Sequence, residues 1–189
     1  NTESELNSYG AWDQSSNFSG WGNWGPTANN SFGQTFKPTS NAAKLTSFSL
    51  WMKNQNEGQT TEFNAFVYSV ANDSRTGGTH WTNRQLDLEE KLFTSEDLTV
   101  IATGNYQELR VNIPEGLDVE QGKEYAVFVS TKTATNPSTS GTWNIARTAN
   151  SLVDHDEADA TPVGNAIMSN PNQSTFFTDA TWYYYGRFG

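Results

Sequence analysis

The chain predicts an all-β fold, an antiparallel two-sheet sandwich of the jelly-roll type with about eight to ten strands. Three observations carry that expectation. Apolar residues recur with a period of two in segment after segment. Ser, Asn, Gly and Pro cluster between those segments, as turn formers do. No apolar stripe of helical period persists for three turns. The 189 residues are expected to form one domain: an irregular Trp, Gly and Asn-rich stretch over 1–30, then the sandwich over 31–188 with a long loop insert at 136–165.

Each element has its own signature. Residues 1–30 show little periodicity and read as a loop or an irregular first strand. In Ser31–Phe36, Phe32 and Phe36 share a face. Lys44–Lys53 sets Phe48, Leu50 and Met52 against Ser47, Ser49 and Trp51. Glu62–Ala71 is apolar on both faces in its second half, as a central strand is. Arg84–Leu92 is the best helical candidate, and it is short. Leu98–Ala102 precedes Tyr106–Ile113, in which Leu109, Val111 and Ile113 face one way and Glu108, Arg110 and Asn112 the other. Pro114–Gly122 reads as a turn-rich connector with Leu117 and Val119 as apolar plugs. Glu124–Ser130 is a strongly buried strand, and Gly141–Arg147, Val163–Met168 and Thr181–Phe188 complete the set. Phe48, Leu50, Phe66, Val67, Val127, Phe128 and Val129 are the expected core.

The charge balance narrows the partners. Against 21 Asp and Glu stand 11 Lys and Arg, a net charge of -10, and the basic residues do not cluster. Phosphate neutralisation needs a basic stripe, so nucleic acid and an anionic membrane surface are both disfavoured. No run approaches the roughly 18 to 20 apolar residues of a spanning helix, and membrane insertion is not expected. The absence of Cys removes disulfide scaffolds, thiolate metal sites and cysteine nucleophiles together. A composition rich in Asn, Thr, Ser and Gly and poor in Lys predicts a secreted or cell-surface protein, with a leader removed upstream.

No catalytic constellation stands out. There is no Gly-x-Ser-x-Gly, and only His80 and His155 offer an imidazole; the first reads as a loop residue beside Trp81 and the second as part of an acidic loop. Glu62, Glu108 and Glu124, with Asp87 and Glu89, are the carboxylates on or beside strands, yet spacing singles out no pair for glycosidic hydrolysis. The available hard oxygens suit calcium better than zinc. Asp154, Asp156 and Asp159 begin like a calcium loop, but Ala158 and Ala160 stand where a ligand and a turn residue belong. Glu3 or Glu5 with Asp179 is a second candidate set. A solvated acidic loop accounts for either group equally simply.

The aromatic share is the unusual feature, with 7 Trp, 7 Tyr and 11 Phe in a polar chain. Trp12, Trp21 and Trp24 lie among glycines and amides, the setting in which a sugar ring stacks on an indole while amides and carboxylates pair with its hydroxyls. The same rings could instead fold back over one open end of the sandwich. Trp51, Trp81, Trp143, Tyr183 and Tyr185 could line a concave sheet face, or be buried between layers.

In chain order, Gly33-Gln-Thr-Phe36, Leu45-Thr-Ser-Phe-Ser-Leu50, Phe63-Asn-Ala-Phe-Val-Tyr68, Tyr106-Gln-Glu-Leu-Arg-Val111, Leu117–Val129 and Trp182–Phe188 form one series. The series resembles the β-sandwich modules of secreted and surface-anchored bacterial proteins, often those with C-terminal sorting or anchoring signals. Their recurring strands read "QTF", "L-x-S-F-x-F", "F-x-A-x-V-Y" and "L-x-x-G-x-x-Y-x-x-F-V". The likeness spans about residues 31 to 188 and leaves out 1–30 and the insert. Its motifs are structural rather than catalytic. It implies an extracellular jelly roll related in architecture to carbohydrate-binding modules. The resulting expectation is a non-catalytic binding module whose partner is a polysaccharide or other glycan. The alternative is a structural or adhesive subunit that self-associates through strand edges or the N-terminal segment, and a glycoside hydrolase comes third.

Overall fold

The computed structural model describes residues 7–8, 20–25, 31–38, 43–72, 85–131, 143–146, 166–169, 176–179 and 186–188. They contain thirteen strands: β1 (Asn7–Ser8), β2 (Gly20–Trp24), β3 (Ser31–Phe36), β4 (Ala43–Lys53), β5 (Thr60–Asn72), β6 (Gln85–Thr94), β7 (Leu98–Ile101), β8 (Gln107–Val119), β9 (Tyr125–Ser130), β10 (Trp143–Ala146), β11 (Ala166–Ser169), β12 (Phe176–Asp179) and β13 (Gly186–Phe188). These form two antiparallel sheets, and the described residues include no helix.

The six-stranded sheet runs β1-β13-β4-β10-β2, with β8 on the other flank of β4. β13 and β10 lie end to end along that first flank, against Phe48–Leu50 and Met52–Lys53 respectively. Short strands sharing one flank in this way are why the segments outnumber the eight to ten expected. The seven-stranded sheet runs β6-β12-β11-β3-β9-β5-β7. Because β6 pairs with β5 as well as with β12, the hydrogen-bonded order of this sheet returns on itself.

Period-two alternation fills the space between the sheets. Leu45, Phe48, Leu50 and Met52 of β4, with Leu109, Val111 and Ile113 of β8, meet Phe32, Phe36, Phe63, Ala65, Val67, Tyr125, Val127 and Val129 from the other sheet. Each such side chain contributes about 1.5–3 kcal/mol when fully buried. β5 is apolar on both faces because it serves two cores. Phe66 and Val70 join Ala126 and Phe128 of β9 in a second cluster, on which Tyr68 and Leu88 pack. In it the Phe128 ring stacks on Phe66 at 5.1 Å and on Tyr68 at 5.7 Å. Gly33 is in register with Phe128, and a Cβ there would run into the Val127 carbonyl oxygen and the Phe128 side chain. The glycine of the Gly33–Phe36 motif is therefore a packing requirement.

The Leu117–Val129 motif also has a mechanical reading. The Tyr125 hydroxyl accepts the Glu120 N–H at 2.9 Å. Gly122 adopts φ 79°, and its N–H donates to the Pro38 carbonyl at 3.0 Å. The tyrosine thus ties the crossing from one sheet to the other, as a tyrosine corner does.

Two local expectations change, and one strand was not anticipated. The Arg84–Leu92 segment is not helical where it is described: it enters β6, whose pairing with β5 is broken by register shifts. Ser69 occupies one of these shifts, its Oγ accepting the Glu90 N–H at 3.2 Å and donating to the Glu89 carboxylate at 3.3 Å. Bulges scramble period two and leave a pattern that imitates a short helix. Pro114–Val119 is not a connector but the continuation of β8, carried through an interruption at which Glu115 and Gly116 take φ 66° and 71°. Beyond it Leu117 pairs with Leu45 and Val119 with Ala43. Finally, β12 had no sequence signature of its own.

One core position breaks the pattern. Gln34 lies on the face of β3 that carries Phe32 and Phe36, is 0% exposed, and among the described residues finds no hydrogen-bond partner for Nε2 or Oε1. A buried, unsatisfied polar group costs about 1–3 kcal/mol.

Candidate functional site

The proposed aromatic set divides when placed on this frame. Trp24 and Trp143 face each other in register across β2 and β10, and both are 0% exposed. Trp24 meets Phe63 edge-on at 5.5 Å, and Trp143 Nε1 donates to Thr61 Oγ1 at 2.9 Å. Both belong to the core, so neither offers a ring face to a ligand, and for these two the expectation of display is corrected. Pairing in register supplies the reason: each ring's burial is completed by a distant strand. Trp51 is half-buried on the outer face of β4. Trp21 lies in β2 opposite Ile145. Trp12, Trp81, Tyr183 and Tyr185 fall outside the described residues.

The acidic candidates do not converge where they are described. Glu62 stands on β5 opposite Thr99, whereas Glu108 stands on β8 in the other sheet, opposite Trp51. Glu124 precedes β9, its carbonyl accepting the Val70 N–H. Asp87 pairs with Asn72 across β6 and β5. Asp179 lies in β12 opposite Ala166, while Glu3, Glu5, Asp154, Asp156, Asp159 and the two histidines fall outside the described residues. Among the described residues, no three acidic or imidazole side chains gather as a metal site.

The structure brings together a different group. An open groove of about 440 Å³ lies between the β6–β7 corner and β8, where the two sheets meet at one side. Phe93, Leu98 and Val111 give it apolar surface; Thr94, Ser95 and Glu96 form one wall, and Arg110, Asn112 and Pro114 the other. The β6–β7 corner is clamped to β5. The Ala65 N–H donates to Ser95 Oγ at 2.7 Å, and the Ser95 N–H donates to the Ala65 carbonyl at 2.8 Å. Asn64 Nδ2 donates to the Asp97 carboxylate at 2.9 Å. Opposite, Arg110 Nε donates to Asn112 Oδ1 at 3.1 Å, which orients the guanidinium along the strand. Arg110 and Asn112 are exposed because Leu109, Val111 and Ile113 take the alternate, inward positions of β8.

The walls carry one carboxylate, one guanidinium, a carboxamide and two hydroxyls over an apolar floor. Such a surface can accept and donate hydrogen bonds to hydroxyls while an apolar ligand face rests on the floor. The outward position of Arg110 and Asn112 was legible in the alternation. Their juxtaposition with Ser95–Glu96 was not, since it arises between sheets. No protein-family model matches the chain, and neither the curated proteins nor the solved structures contain a significant match.

Proposed function

We propose that this chain is a non-catalytic module that binds a neutral carbohydrate, and that it works outside the cell on a secreted or surface protein. The observation that carries the reading is the β8 groove. Its polar groups balance in charge, its floor is apolar, and its walls are held by hydrogen bonds made before any ligand arrives. Preorganised polar groups lower the ordering cost of binding. The likeness to extracellular jelly-roll modules points the same way. Affinity electrophoresis through a broad panel of neutral polysaccharides is the test. Retardation by at least one of them, lost in Arg110→Ala and Asn112→Ala, is expected; free migration through the whole panel overturns the reading.

A second reading, a structural or adhesive subunit, draws on the sheet edges. Among the described residues, β7 pairs only with β5 and β8 only with β4, and Ile101 of β7 is 58% exposed. Unpaired edges are templates for strand addition. Light scattering separates the two: polymers that vanish in Ile101→Lys favour the subunit, and a monomer at all concentrations favours the binder.

A further inference from the structure

The groove does not end at Arg110. Asn112 and Arg110 are outward on β8, and the same outward row continues to Glu108, with Tyr106 one residue before the strand. Along β4 the register partners of Asn112, Arg110 and Glu108 are Ser47, Ser49 and Trp51; the two serines are buried, so over this stretch the exposed row is that of β8. Past Trp51, the Lys53 ammonium lies 5.7 Å from the centre of the Tyr106 ring. Asn112 and Arg110 therefore belong both to the groove and to this outer face. From Asn112 to Tyr106 the row is about 20 Å long at the usual rise of an antiparallel strand.

Chemistry along the row is consistent from end to end. The groove offers Glu96 and Arg110; the outer face adds Glu108 and Lys53, with Arg187 of β13 in register with Ser49, so carboxylates and cations are interspersed. A polyanion or a polycation would meet like charges along its length. A neutral polyhydroxylated chain would meet acceptors and donors throughout. Both half-buried aromatics, Trp51 and Tyr106, stand at the end opposite the apolar floor. Trp51 occupies an outward register position although the inward ones take apolar residues readily, and Tyr106 joins it through Lys53. Burial raises the Tyr106 pKa above its ordinary 10.0, so its hydroxyl stays neutral in the row.

We infer that the ligand is a linear neutral polysaccharide held along β8, with one end of the bound stretch in the groove and the other against Trp51 and Tyr106. The inference rests on the carbohydrate reading and adds to it the shape of the ligand and a second contact region. An open groove that runs on into the exposed row of β8 suits an internal stretch of chain rather than a chain terminus.

The test is calorimetric titration of the full chain with β-1,4-linked gluco-, xylo- and mannooligosaccharides and α-1,4-linked glucooligosaccharides, from disaccharide to hexasaccharide. In one series affinity should rise with length and then level off. Trp51→Ala should cut affinity for the longest ligand about tenfold, the equivalent of about 1.4 kcal/mol, and leave the shortest unaffected. Glu108→Ala, an exposed substitution that does not threaten folding, should act in the same direction. Arg110→Ala should weaken every length. Binding that is independent of length, or equal in wild type and both outer-face variants, overturns the extended site while leaving the groove reading intact. Absence of binding in all four series, together with free migration through the polysaccharide panel, overturns both.

Discussion

Two pairs of aromatic residues on the same sheet have opposite fates. Trp24 and Trp143 come from Gly, Asn and Ser-rich segments and are sealed; Trp51 comes from the middle of a long strand and Tyr106 from the turn that leads into β8, and both keep part of their surface. The sealed pair stands in register across β2 and β10; Phe63 meets the Trp24 ring edge-on, and Thr61 answers the Trp143 indole N–H. The open pair stands on the outer row, beside Glu108 and Lys53. Polar neighbours in the chain thus say little about the exposure of an indole. What decides is whether the side chain projects into the space that the second sheet fills.

The largest expected effect tests this contrast directly. Trp24→Ala should destabilise the fold by about 3–5 kcal/mol in guanidinium unfolding, the usual cost of emptying a core aromatic site. Trp51→Ala should change it by no more than about 1 kcal/mol. Equal losses would erase the distinction. Next comes the polar contact inside the sealed pair: Thr61→Val leaves the Trp143 N–H buried without an acceptor and should cost about 1–3 kcal/mol. The double variant Thr61→Val with Trp143→Phe should recover part of that loss.

A third substitution has the opposite sign. Gln34→Met keeps the side-chain length while removing two buried polar atoms that lack partners, and should raise stability by about 1 kcal/mol or more. A lower unfolding midpoint would mean that the amide is satisfied in solution. The smallest effect belongs to the open pair. Burial raises the Tyr106 pKa, so the folded chain holds that proton where the unfolded chain releases it. The associated stability is complete below about pH 10 and is lost as pH rises through the folded-state value. Tyr106→Phe should flatten this part of the alkaline limb of a stability-against-pH curve, and an unchanged limb would place the ring in water.

Legibility followed the physics of each element. In β4 and β8 every second residue is apolar and a single face is buried, so the alternation announced the inward sets Phe48, Leu50, Met52 and Leu109, Val111, Ile113. β6 was misread because its register shifts break the period, and the Ser69 hydroxyl that fills one of them comes from another strand. β8 was cut short at Pro114 because a proline and a glycine in sequence look like an ending. Here they carry an interruption inside a strand that then resumes its pairing with β4. The groove had no signature at all, for its walls are contributed by Thr94–Glu96 and Arg110–Pro114, which meet only where one sheet lies beside the other.

By itself, the sequence determined the class of fold and the parity of the long strands. Those are properties of spacing and composition, which act locally or as sums over the chain. Tertiary structure alone decided which indoles are sealed, how the seven-stranded sheet returns from β6 to β5, and where Arg110 finds Glu96 across a groove. These depend on register between strands far apart in the chain, and register is set by packing that no single segment contains.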